Sequence, residues 1–157
     1  MKSLLSNSHV VLLSRCILGA VFIVASLEKI AVPEAFASAI ELYKLLPLAV
    51  INVFALIVPW IELICGLFLV GGIFVRASSF LLSLLTLMFT GAIVLALLQH
   101  LNIDCGCFGP AHSTPVGWMK VGEDAGLFLL GIHLFSFPQS AFALENLYTV
   151  RHERKTE

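Results

Sequence analysis

The chain has 157 residues, 59% hydrophobic and 12% charged, with a formal charge of −1, a mean hydropathy of +1.01 and a pI near 6.5. A soluble domain carries about 25% charged residues, so there is too little polar surface here for a water-soluble globule. The near-neutral charge and the lack of a basic patch exclude a nucleic-acid or other polyanion partner.

The apolar residues come in runs long enough to cross a bilayer, at about 20 residues per helix. They predict one integral membrane domain over residues 1–157, all-α, as a four-helix transmembrane bundle with helices over about 9–29, 48–74, 77–99 and 118–137. The first run, Val10 to Leu27, exceeds the roughly 7–15 apolar residues of a signal peptide and contains Arg15. It is therefore expected to be an uncleaved helix. Between the first and second helices, Pro33 suits a helix's first turn. Phe36, Ile40 and Tyr43 then recur at helical spacing, with Glu34, Glu41 and Lys44 elsewhere. This predicts a short amphipathic helix lying in the membrane interface, against lipid headgroups.

Each spanning helix carries a stripe expected to face inward. The stripes are Arg15, Gly19, Phe22, Ser26 and Lys29 in the first helix, and Asn52, Ala55, Pro59, Glu62 and Gly66 in the second. In the third they are Ser79, Ser83, Thr86 and Thr90. Small and hydroxyl residues let membrane helices approach closely and hydrogen-bond across the contact. Cys16 and Cys65 lie in the first two helices at similar depth and are expected to pack as small hydrophobes. His9 and His133 both fall near the inner face, the minimum a haem-ligating bundle would need.

Orientation follows from the Lys/Arg distribution. With the N-terminus inside, Lys2, Arg15, Arg76, Arg151, Arg154 and Lys155 lie on or near the cytoplasmic side, against Lys29, Lys44 and Lys120 opposite. Both termini are expected in the cytoplasm. The loop between the third and fourth helices is then periplasmic in a Gram-negative cell.

Two charges, Arg15 and Glu62, fall in hydrocarbon, where each costs about 2.5–3.5 kcal/mol unless partnered. At about 1.5 Å per residue they lie roughly 9 Å and 12–18 Å from the inner ends of antiparallel helices. They are predicted to pair. The pair either fixes helix register, binds a polar head such as a quinone carbonyl, or relays a proton.

The third loop holds Asp104-Cys105-Gly106-Cys107-Phe108-Gly109. Two thiols one residue apart on an oxidising face rarely stay independent and reduced. A disulfide across one residue is strained and therefore easily reduced, and Gly106 relaxes the backbone enough to permit it. Such a bond constrains almost no chain, so its stabilising value is small. Redox-active thiols are the expectation, with Glu28 and Lys29 placed to tune a thiolate. A thiophilic metal held by Cys105 and Cys107 with Asp104 and His100 or His112 is an alternative, although the spacing matches no zinc signature. A non-catalytic anchor whose loop is a docking knob is another.

Five stretches then carry a family resemblance: Arg15, Glu28-Lys29-Ile30-Ala31-Val32-Pro33, Tyr43-Lys44-Leu45-Leu46-Pro47, Pro59-Trp60-Ile61-Glu62-Leu63 and the Cys105–Cys107 loop. Together they resemble the MauE/DoxX-like family of redox-associated membrane proteins, and within it the methylamine-utilisation MauE branch. The resemblance implies a bacterial inner-membrane four-helix protein working beside a periplasmic thioredoxin-like protein, in disulfide formation or maturation of a periplasmic enzyme. It implies a quinone link through more distant relatives, and a place in a larger redox complex. Position by position it picks out Cys105 and Cys107 as the exchanging pair, with Arg15 and Glu62 as cofactor-binding residues. The family pattern also leads one to expect a basic residue just before an aspartate at the start of the fourth helix. Here Lys120 is followed by Val121-Gly122-Glu123-Asp124, which departs from that pattern.

Overall fold

The computed structural model describes residues 8–44, 47–99 and 117–137. The described residues form five α-helices: α1 Ser8–Ala31, α2 Pro33–Leu42, α3 Leu48–Gly71, α4 Val75–Leu98 and α5 Trp118–Ser136. Helices α1, α3 and α4 have 24 residues each and hydropathies of 2.4–2.5, long and apolar enough to cross a membrane. The chain is a multi-pass membrane protein. Helix α5, with 19 residues, carries Lys120, Glu123 and Asp124 in its first two turns and is not among those three spans.

Local chemistry sets the breaks. Proline has no N–H and clashes with the carbonyl four residues back, and it keeps the preceding residue out of the helical region. Val32 accordingly leaves the helix at φ −136°, ψ 72°, and α2 starts on Pro33. Helix α3 ends on Gly72 at φ 72°, which donates to Leu69 O, while Ile73 N donates to Phe68 O. Glycine holds this left-handed end without the Cβ penalty. The turn 72–74 is therefore a sharp reversal, and the break between the second and third predicted helices falls two to three residues earlier than expected.

Consecutive long helices run antiparallel. On one side α1 meets α3, with Arg15 at Leu69 and Val70. Glycine lets these two backbones close: a Cβ at Gly19 would sit 2.8 Å from Gly66 O. On the other side α4 meets α5. There a Cβ at Gly131 would collide with Ser83 Oγ, and Phe80 packs on Phe135 at 5.9 Å. Val11, Leu18, Phe22, Leu69, Leu82 and Leu134 fill the core between the pairs.

The predicted stripes are buried as follows. All five α1 positions are buried, as are Ser79, Ser83 and Thr86 in α4, and Thr90 is partly buried. In α3, Ala55, Pro59, Glu62 and Gly66 are buried, but Asn52 is exposed. At about 100° per residue Ile51 continues the arc through Ala55 and Glu62, and Asn52 is turned off it. Ser83, Thr86 and Thr90 each donate to the carbonyl four residues back, so their hydroxyls largely serve α4 itself. Phe36 and Tyr43 are buried against the bundle and Ile40 is half-buried. Cys16 is half-buried and Cys65 buried, both as free thiols.

Candidate functional site

Arg15 and Glu62 do not pair. The guanidinium of Arg15, fully buried, donates from Nε to Leu69 O at 2.8 Å and from a terminal nitrogen to Val70 O at 3.2 Å. These carbonyls belong to the last turn of α3, where four acceptors lack helical partners and the helix dipole favours a cation. Arg15 is thus a cap supplied by the neighbouring helix. Glu62 instead receives Lys29, whose Nζ lies 2.9 and 2.8 Å from its two carboxylate oxygens. Both side chains are buried, at 3% and 1% exposure.

The direction of Cβ explains the exchange of partners. Side chains in a helix lean toward its own N-terminus. Lys29, near the end of α1, leans back into the bundle. Glu62, on the antiparallel α3, leans toward the end where α1 finishes, so the two converge. Arg15 leans the opposite way, toward the end of α3, and the gap to Glu62 widens. Matching backbone depths alone missed this. Lys29 faces inward, as its place on the α1 stripe predicts, and its ammonium is taken up by Glu62.

Two aromatic rings cover the ion pair. Lys29 Nζ lies 5.0 Å from the Phe36 ring centre and 5.1 Å from that of Phe89, both within cation–π range. Phe36 comes from α2 and Phe89 from α4, and the rings stand 6.1 Å apart. On the bundle side, a cavity of about 40 Å³ is lined by Lys29, Glu62, Thr86, Phe89 and Asp124 among others. That is room for about three waters at roughly 10–15 Å³ each. On the other side of Phe36 and Phe89 is a larger apolar chamber of about 350 Å³ between α2, α3 and α4, with Tyr43, Phe54, Met88 and Leu95 in its wall.

Asp124, 7% exposed, is the third buried charge-bearing group here. It contacts Thr90 Oγ1 at 3.3 Å. The neighbouring Lys120 is engaged by Glu123 at 2.6 Å. The aspartate turns inward, and Lys120, 16% exposed, is half-buried one turn before it. The α4 hydroxyl stripe marked the face that meets Asp124 but did not name it, since each hydroxyl already has a carbonyl four residues back. Lys29 lay on the predicted α1 stripe, but only antiparallel docking gives it Glu62.

Cys105, Cys107, Asp104, His100 and His112 lie outside the described residues. The helices that carry their loop are described up to Gln99 and from Gly117. At about 1.5 Å per residue, Thr90 is roughly 13 Å below Gln99 and Asp124 roughly 10 Å below Gly117. Leu95, in the chamber wall, is one turn below Gln99. The described ends of the two helices that this loop joins, Gln99 and Gly117, both lie at the end of the bundle that holds the ion pair and both cavities. Among the described residues no group of three or more His, Cys, Asp or Glu is placed to hold a metal. His9 is exposed at the other end of α1, and His133 is half-buried against Phe137 at 5.5 Å.

The sequence profile of a family described as "Methylamine utilisation protein MauE" matches residues 7–137. Three curated proteins called "Methylamine utilization protein MauE" are similar to the chain. That of Methylorubrum extorquens is 30% identical over 70% of this chain and 60% of its own length. That of Paracoccus denitrificans is 29% identical over 75% and 64%, and that of Methylophilus methylotrophus 24% identical over 95% and 80%. The chain thus spans under two thirds of the first two relatives. No solved structure matches.

Proposed function

The chain belongs to the MauE family, and we propose that within it this protein is a membrane thiol–disulfide redox protein acting through Cys105 and Cys107 in methylamine utilisation. The supporting observation is the arrangement of one bundle end. The two helices joined by the segment that carries the thiols, α4 and α5, have their facing ends, Gln99 and Gly117, at the end of the bundle that holds the buried Lys29–Glu62 pair and the apolar chamber. In the direction of disulfide formation, a thiolate of a periplasmic thioredoxin-like partner attacks the Cys105–Cys107 disulfide. The mixed disulfide is resolved by the partner's second thiol, leaving the partner oxidised and Cys105 and Cys107 reduced. Two electrons and two protons then pass to a quinone, which becomes quinol and restores the disulfide. The chamber suits the quinone ring and the first part of its tail, since its lining is almost wholly apolar and aromatic.

The reading includes the membrane frame. Helix α5 is the fourth span, its two charged outer turns near the surface, and α2 lies in the interface. With Arg15 and Lys29 buried in the bundle, Lys2, Arg76, Arg151, Arg154 and Lys155 remain on one side against Lys44 and Lys120 on the other. That bias supports an orientation with both termini in the cytoplasm and the Cys105 loop in the periplasm of a bacterial inner membrane.

The test is a redox titration of the purified protein with alkylation and mass spectrometry at Cys105 and Cys107. The expected result is a reversible two-electron transition between about −120 and −270 mV, the range of thiol oxidoreductases, and a trapped mixed disulfide with the partner in Cys107→Ser. Thiols that never pair, or no adduct from either single variant, would overturn the reading.

A further inference from the structure

The apolar chamber between α2, α3 and α4 has two unlike sides. Toward the bundle interior three rings from three helices meet: Phe36 of α2 and Phe54 of α3 stand 6.1 and 6.4 Å from Phe89 of α4. On the outer side the wall is formed by Leu87, Met88, Gly91 and Leu95 of α4, all exposed although they line the chamber. At about 100° per residue these four share one arc of α4 roughly 100° wide, and Phe89 stands about 100° further round. Among the described residues no lining residue from α2 or α3 is exposed: Phe36 and Tyr43 are buried, and Ala39, Ile40 and Phe54 are half-buried.

The chamber is therefore a cleft that opens along that arc of α4. Gly91 lies within the arc, and a Cβ there would meet nothing within 4 Å, so the space beside its backbone is open. It precedes Leu98, the end of α4, by seven residues, or roughly 10 Å. A bilayer's hydrocarbon is about 30 Å thick. In a helix long and apolar enough to span it, an opening at that depth faces lipid rather than water.

We propose that this cleft is a lateral entry site for a membrane-dissolved molecule with a flat ring and an apolar tail. The ring is held against Phe36, Phe54 and Phe89, and the tail leaves over Gly91 into the bilayer. At about 350 Å³ the cleft is near the small end of ligand sites, which run to about 1,000 Å³. It takes a ring and the start of a tail, and the rest of a long tail stays in lipid.

That the ring is a quinone rests on the redox reading above. Phenylalanine faces carry the negative side of the ring quadrupole, which suits a ring made electron-poor by two carbonyls. A phospholipid acyl chain fills the same space without drawing on the three rings, so the rings favour the quinone.

The experiment is photolabelling of the full wild-type chain in lipid nanodiscs, read by peptide mass spectrometry. Two probes are forms of one isoprenoid benzoquinone, with a diazirine on the ring in one and along the tail in the other. A third is a phospholipid with the diazirine on its acyl chain. The ring probe is expected to label Phe36, Phe54 or Phe89, and the tail probe Leu87, Met88 or Leu95. The phospholipid is expected to label the α4 arc at least tenfold more than the three rings. Tail labelling on Ala39 or Ile40 of α2 instead of the α4 arc would overturn the exit route. Phospholipid labelling of the rings to the same extent as the quinone would make this an acyl-chain site and overturn the ring assignment. No quinone labelling in the chamber would overturn the cleft altogether. Titrating Cys105 and Cys107 in the same nanodiscs separates the two ideas. Chamber labelling without a reversible thiol transition overturns the redox reading and leaves the cleft standing, and a thiol transition without chamber labelling does the reverse.

Discussion

Replacing Lys29 with Met would leave the Glu62 carboxyl 1% exposed with no cation opposite it. Breaking a buried pair from one side costs about 3–5 kcal/mol, a large part of the roughly 5–15 kcal/mol that holds a typical domain together. Glu62→Leu instead leaves the ammonium facing Asp124 across the small cavity. Its cost is expected to be smaller by about 1–2 kcal/mol, since the Phe36 and Phe89 rings still face the cation at 5.0 and 5.1 Å. The double variant Lys29→Met/Glu62→Leu buries two apolar side chains of similar size, and such replacements are often neutral. Its stability is expected within about 1 kcal/mol of the wild type, so the two single losses should exceed the double loss by several kcal/mol. Equilibrium unfolding in mixed micelles, followed by the fluorescence of Trp60 and Trp118, measures all four corners of the cycle. Losses that add to within about 0.5 kcal/mol, as they do for independent sites, would refute the claim that Lys29 and Glu62 form one buried unit.

Three further outcomes follow from the same geometry. Arg15→Gln removes the cation from the end of α3 and is expected to cost about 1–3 kcal/mol, the range for hydrogen bonds to charged groups; faster hydrogen exchange at Gly72 and Ile73, whose amides close that turn, reports it. Gly131→Ala drives a methyl into Ser83 Oγ and should destabilise by about 1–3 kcal/mol through overpacking, with part of the loss recovered in Gly131→Ala/Ser83→Ala; unchanged stability of the single variant would show that α4 and α5 do not approach so closely. At Gly91, in the chamber wall, a Cβ meets nothing within 4 Å, so Gly91→Leu should fill the chamber without unfolding the bundle. It is expected to weaken quinone photolabelling at least tenfold while Cys105 and Cys107 keep their redox transition, and unweakened labelling would place the quinone elsewhere.

Hydropathy and periodicity determined a good deal here. The runs from Val10, Leu48 and Ala77 had to be helices that cross a bilayer, because nothing else satisfies their backbone in lipid. Pro33 set one boundary by backbone sterics alone, whereas the left-handed end at Gly72 closed the second long helix before the expected residue 74. The α1 stripe from Arg15 to Lys29 and the α4 hydroxyl stripe named the inward faces, because each is a local property of the helix's own residues. Which buried charge meets which was a different matter. Arg15 and Glu62 share a depth in the sequence but lean apart once α1 and α3 dock antiparallel, and Lys29 reaches Glu62 by the same rule of side-chain direction. Asp124 gained its place from α5 packing on α4, at a distance of 34 residues from Thr90. Periodicity fixes a residue's face; only tertiary docking fixes what lies across from it, since long side chains span more than a helical turn and the partner is set by their direction as much as by their depth.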